Sequence, residues 1–66
     1  MKFTVKQARN HAGYTQMELA KTIGISRSTY VKIEKDVSRA TVDQINKISR
    51  ATGIPVTDIF LTVNST

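Results

Sequence analysis

A chain of 66 residues makes one small domain, and a domain of this size buries only about 60% of the surface its unfolded form exposes. It has no cysteine, so disulfides and cysteine-ligated zinc are excluded as staples; capped, packed helices or a partner must hold the fold instead. Ten Lys and Arg against five Asp and Glu give a net charge of +5, which favours a polyanionic partner: nucleic acid first, an anionic membrane second. The longest apolar run is three residues, Ile59-Phe60-Leu61, so no membrane span is expected. With neither an apolar leader segment nor cysteine, the chain is expected in the cytoplasm.

Helix starts and stops are legible in order. Thr4-Val5-Lys6-Gln7 fits a capping box and opens a helix predicted over 4–12, with Val5, Ala8 and Ala12 inward and Gly13 as its left-handed stop. Thr15-Gln16-Met17-Glu18 opens a second over 15–23, with Leu19, Ala20 and Ile23 inward and Gly24 closing it. Ser26 caps a third over 26–35, without an acidic return. Thr41-Val42-Asp43-Gln44 opens a fourth over 41–52, with Val42, Ile45, Ile48 and Thr52 inward and Gly53 after it. A fifth is predicted over 56–61 behind Pro55, with Ile54, Ile59 and Phe60 closing the base. Tyr14 with Leu19, Ile25 with Tyr30, and Ala40 with Ile45 stand at hydrophobic-staple positions. One apolar stripe per helix predicts an all-α, compact five-helix orthogonal bundle. It would occupy residues 1–61, leaving a tail at 62–66. The strand-like composition of 61–66 reads either as a frayed end or as an edge strand for a partner chain.

The third helix separates charge from bulk. On a wheel, Arg27, Ser28, Val31, Lys32 and Lys35 fall within an arc of about 140°. Ser26, Thr29, Tyr30, Ile33 and Glu34 fall opposite. The outer arc carries three cations and no acid. A major groove about 12 Å wide admits such a helix. Arg and Lys donate to guanine, Ser bonds a base or a phosphate, and Val31 meets a thymine methyl. A solvated basic face is the bland alternative. The preceding helix argues against it, because Leu19, Ala20, Ile23, Gly24, Ile25, Tyr30 and Ile33 stand at helix-turn-helix spacing.

From Val5 to Phe60 the chain resembles the lambda-repressor-like helix-turn-helix family, of the Cro/cI or XRE type. The resemblance is carried by Arg9, Gly13-Tyr14-Thr15-Gln16, Leu19-Ala20, Gly24-Ile25-Ser26, Ile33-Glu34, Ile45, Ile48, Ala51, Gly53 and Asp58-Ile59-Phe60. It implies a five-helix DNA-binding domain acting as a homodimer on a near-palindromic operator of double-stranded DNA, most like a small phage or prophage repressor. By matching position it assigns Arg27, Ser28 and Lys32 to bases. It assigns Gln16, Ser26, Thr29, Tyr14, Lys35, Ser38 and Arg39 to capping or phosphate contact, with Gln16 also bracing the recognition helix, and pairs Arg9 with Glu34. Three departures stand out. Asp36 replaces a usual glycine and Ala40 a usual proline, which leaves loop 36–40 free to take another shape. Tyr30 replaces Ile or Val, with its ring inward or its hydroxyl toward the DNA edge.

No cofactor, metal, small-molecule ligand or membrane partner is expected. His11 is lone and reads as a surface residue. Acid–base catalysis needs a positioned pair of titrating groups, whereas the five acids are scattered, so an enzyme is disfavoured. The alternative function is a protein-interaction module on the same fold, antitoxin-like or antirepressor-like.

Overall fold

The computed structural model describes residues 3–59. They form four α-helices, α1 (Val5–Ala12), α2 (Gln16–Ile23), α3 (Arg27–Lys35) and α4 (Val42–Thr52), with 3-10 turns at Val37–Arg39 and Val56–Asp58. Three capping boxes close as the sequence predicts, at Thr4 with Gln7, Thr15 with Glu18, and Thr41 with Gln44. Each satisfies two backbone donors that a helix start would otherwise leave orphaned.

The predicted fifth helix is corrected to a single 3-10 turn. Pro55 precedes it without a side-chain cap, and by Ile59 the backbone is already extended (φ −89°, ψ 131°). The chain straightens there because Phe3 claims it. Phe3 N donates to the Asp58 carbonyl at 2.6 Å, and Phe3 pairs with Ile59 in one parallel bridge. The rest of the predicted helix and the tail 62–66 lie outside the described residues, as does Phe60.

The core is one cluster drawn from all four helices and the closing turn: Val5, Ala8, Leu19, Ala20, Ile23, Tyr30, Ile33, Ile45, Ile48, Ile54 and Ile59. Leu19, Ile33 and Ile48 are fully buried, each contributing about 1.5–3 kcal/mol relative to exposure. Thr52 is buried beside it, but two described residues predicted inward are exposed. Ala12 is exposed at the last position of α1, where Gly13 turns the chain away. Val42, the first residue of α4, is 78% exposed, and no element among the described residues covers it.

The turn between α2 and α3 sets their relation. Gly24 is left-handed (φ 80°, ψ 29°). Its N–H donates to the Lys21 carbonyl at 3.2 Å, and that of Ile25 to the Ala20 carbonyl at 3.0 Å. This Schellman pairing ends α2, and Ser26 caps α3 two residues later. Ala20, 1% exposed, leaves room for the close approach. A Cβ at Gly24 would meet nothing within 4 Å. Gly24→Ala should therefore lose only the left-handed preference, about 1–2 kcal/mol, read as a lower urea midpoint with an unchanged slope.

Candidate nucleic-acid interface

α3 is anchored by Tyr30 and Ile33, both buried, and its other face is open. Arg27, Ser28, Lys32 and Lys35 are all exposed. Among the described residues, Arg27, Lys32 and Lys35 form no ion pair. Val31 is half-buried rather than fully on the open face, and Thr29, on the inner half of the wheel, is exposed. Ser26 accepts the Thr29 backbone N–H at 3.1 Å, and its hydroxyl donates to Thr29 Oγ1 at 2.9 Å. The Thr29 hydroxyl keeps its own hydrogen to donate.

The basic face continues past α3. Asp36 is extended (φ −152°), not left-handed, so the position usually held by glycine makes no positive-φ demand here. Asp36 Oδ1 instead accepts from Ser38 N at 3.1 Å and from the Ser38 hydroxyl at 2.6 Å, nucleating the 3-10 turn. These Ser38 bonds, with Arg39 nearby, hold its carboxyl below the usual aspartate range. Ser38 thus spends its hydroxyl hydrogen inside the loop, and only its lone pairs remain outward. Arg39 lies 3.9 Å from Asp36 and is 64% exposed. Lys32, Lys35, Asp36 and Arg39 line one shallow depression.

Behind the open face sits a polar cluster around Glu34. Arg9 Nε donates to Glu34 Oε2 at 2.6 Å, and the two side chains are 11% and 6% exposed. Arg9 Nη1 donates to the Tyr14 carbonyl at 2.9 Å, which ties the α1–α2 loop to the same guanidinium, and Tyr14 is half-buried. The Tyr30 hydroxyl donates to Glu34 Oε2 at 2.6 Å, and Gln16 Nε2 to Glu34 Oε1 at 3.0 Å. Burial pushes the Glu34 carboxyl up, but the hydrogen bonds from Arg9, Tyr30 and Gln16 together hold it below the ordinary glutamate range. Burial, then the bond to Glu34, pushes the Tyr30 phenol well above its ordinary value. The bond to Glu34 outweighs burial and raises Arg9. No buried side-chain polar atom among the described residues lacks a partner.

Of the two orientations the sequence leaves for Tyr30, the structure takes the inward one. The bond from Tyr30 to Glu34 is not read from the sequence, and that from Gln16 is the atomic form of the bracing of α3 that the resemblance implies. The spacing of Tyr30 and Glu34, i and i+4, was the available signal for the first. Nothing local signals the second, which joins residues eighteen apart in sequence.

The helix-turn-helix family model matches residues 5–59, from the start of α1 through the Ile59 bridge. The chain belongs to the helix-turn-helix family of the Cro/cI, or XRE, type. This helix-turn-helix chain is 36% identical over 61 residues to an HTH-type transcriptional regulator of Methanocaldococcus jannaschii, covering 92% of each. It is 35% identical over 60 residues to the HTH-type transcriptional regulator YgzD of Bacillus subtilis, covering 91% of each. A regulator of the same description from Archaeoglobus fulgidus is 34% identical over 61 residues, covering 92% of this chain and 86% of the relative. No solved structure matches the chain significantly.

Proposed function

We propose that this protein is a sequence-specific transcriptional regulator, acting as a repressor, that lays α3 in the major groove of double-stranded DNA. The observation that carries the reading is a helix held from behind by two buried side chains, with Arg27, Ser28 and Lys32 free on the opposite face. Those three face base edges. Lys35 and Arg39 neutralise phosphates alongside, Gln16, Thr29 and Tyr14 flank the backbone track, and Ser26 and Ser38 stand beside it with their hydroxyl hydrogens spent on Thr29 and Asp36. The names of the relatives favour the same reading. Its working place is the cytoplasm, with the DNA it binds.

One α3 reads too few base pairs to single out an operator, so the active species is a homodimer on a near-palindrome. Half-sites on one face of B-DNA lie about 34–36 Å apart. The body measures 31 × 20 × 18 Å, shorter than that spacing in every direction, so two copies meet only through the surfaces they turn toward one another. A groove lined by Val37, Ala40, Val42, Ile45 and Val56 begins two residues beyond the C-terminal end of α3, where a partner copy would abut. A second copy there would cover the exposed Val42.

The test is a binding titration on random-sequence duplex DNA over a salt series, followed by selection of bound sequences from a random pool. Affinity should fall linearly on a log–log plot, with a slope of about −0.9 per phosphate neutralised. Selection should return a two-fold symmetric site with half-sites one helical turn apart. A chain that shifts no duplex at low salt is a protein-interaction module instead.

A further inference from the structure

Tyr30 is 0% exposed and sits among the apolar residues of the core. A phenylalanine there would supply the same ring, so what tyrosine adds is a hydroxyl aimed at one carboxylate oxygen. We propose that Tyr30 is a positioning residue for Gln16, holding the amide of that side chain where it donates to a DNA phosphate. The proposal rests on the DNA-binding reading above.

The geometry runs through Glu34. Its terminal torsion is soft, so one hydrogen bond does not fix which way the second oxygen points. Arg9 donates to it through Nε, while Nη1 donates to the Tyr14 carbonyl. Tyr30, four residues earlier on the same helix, supplies the second anchor on Oε2 at 2.6 Å. With Oε2 held from two sides, Oε1 is directed at Gln16 Nε2, 3.0 Å away.

An ionised carboxylate only accepts, so it selects the amino end of the Gln16 amide and not the carbonyl end. One Nε2 hydrogen is spent on Glu34. The other remains for an acceptor outside, and Gln16 is half-buried at the first position of α2, where a phosphate meets the helix start. Without the Tyr30 hydroxyl the carboxylate swings, the amide loses its preferred orientation, and the donor is no longer presented. Two helices and a ring at the centre of the core are thus coupled to one surface donor.

Two readouts test this on the full chain. In ¹⁵N-labelled protein without DNA, Tyr30→Phe should move the two Gln16 Nε2 hydrogens toward the shifts of a free glutamine side chain, while core methyl signals stay in place. On a random-sequence duplex of about 20 base pairs at low salt, Tyr30→Phe and Gln16→Ala should each weaken binding roughly 3- to 10-fold, the range of one hydrogen bond. The double variant should bind no more weakly than Gln16→Ala alone. Unchanged Gln16 signals in Tyr30→Phe overturn the positioning role whatever the DNA result. Losses that simply add in the double variant also overturn it, because a merely structural effect would do that. If the signals move but Gln16→Ala binds as wild type, the phosphate contact is what fails, and the proposal falls with it while the wider DNA reading stands on the salt series.

Discussion

Glu34→Ala is expected to lose about 3–5 kcal/mol of stability, as befits removing one partner of a buried ion pair. The substitution strands more than one group. Arg9, with its side chain 11% exposed, keeps its charge without its counter-ion. The Tyr30 hydroxyl and the inner Gln16 N–H lose their acceptor. A domain near the lower end of the usual 5–15 kcal/mol has little left after such a loss, so the variant should be substantially unfolded at 37 °C. Glu34→Gln keeps the shape and an acceptor oxygen but not the charge, and should fall between wild type and alanine. Urea melts followed by circular dichroism decide the order.

The same pair makes a signed prediction about pH. The Glu34 carboxyl is held below its ordinary value in the folded chain. Its contribution is therefore fully present above the unfolded value of about 4.3 and is lost as pH falls through the lower folded value. Wild-type stability should fall on acidification below pH about 4, and part of that fall should be missing in Glu34→Gln. The exposed Asp36 is also held low, so the difference between the two proteins, not the wild-type curve, isolates Glu34. Curves of equal steepness would show that the cluster does not carry the acid sensitivity.

The parts of this molecule that were legible in the sequence are those that act over three or four residues. Thr–Gln and Thr–Glu spacing marked three helix starts, and Gly13, Gly24 and Gly53, all left-handed, marked the stops. The open face of α3 was readable because Tyr30 and Ile33 anchor one side and the cations crowd the other. Where a contact depended on distant segments, the sequence misled or was silent. The predicted fifth helix yielded to a bridge between Phe3 and Ile59, fifty-six positions apart. Val42 kept a helical register with Ile45 and Ile48, but periodicity does not say whether another element lies over a helix end. At loop 36–40 the missing glycine signals only that another shape is open, and Asp36 makes the turn by a side-chain bond to Ser38 that needs no left-handed residue.

Arg27→Ala and Lys32→Ala are each expected to weaken binding to the selected operator by about 1–3 kcal/mol, while leaving the fold intact. Both side chains are exposed and make no ion pair among the described residues. Their removal takes nothing from the core, and the thermal midpoint should barely move. The two residues stand five positions apart on α3, about 7.5 Å along its axis, so they reach different base pairs. Each substitution should relax preference at its own position of the half-site and leave the other readable. Lys35→Ala and Arg39→Ala supply the contrast. Placed on phosphates, they should weaken operator and random duplex alike and reduce the salt slope by about one per protomer contact. The two classes are separated by the ratio of operator to random-sequence affinity, which the first pair lowers and the second leaves alone. If Arg27→Ala and Lys32→Ala both retain that ratio and the wild-type base preference, α3 does not read the operator. The open cationic face would then be only an electrostatic footing for DNA, and specificity would have to come from elsewhere, such as the deformability of the duplex held between two copies.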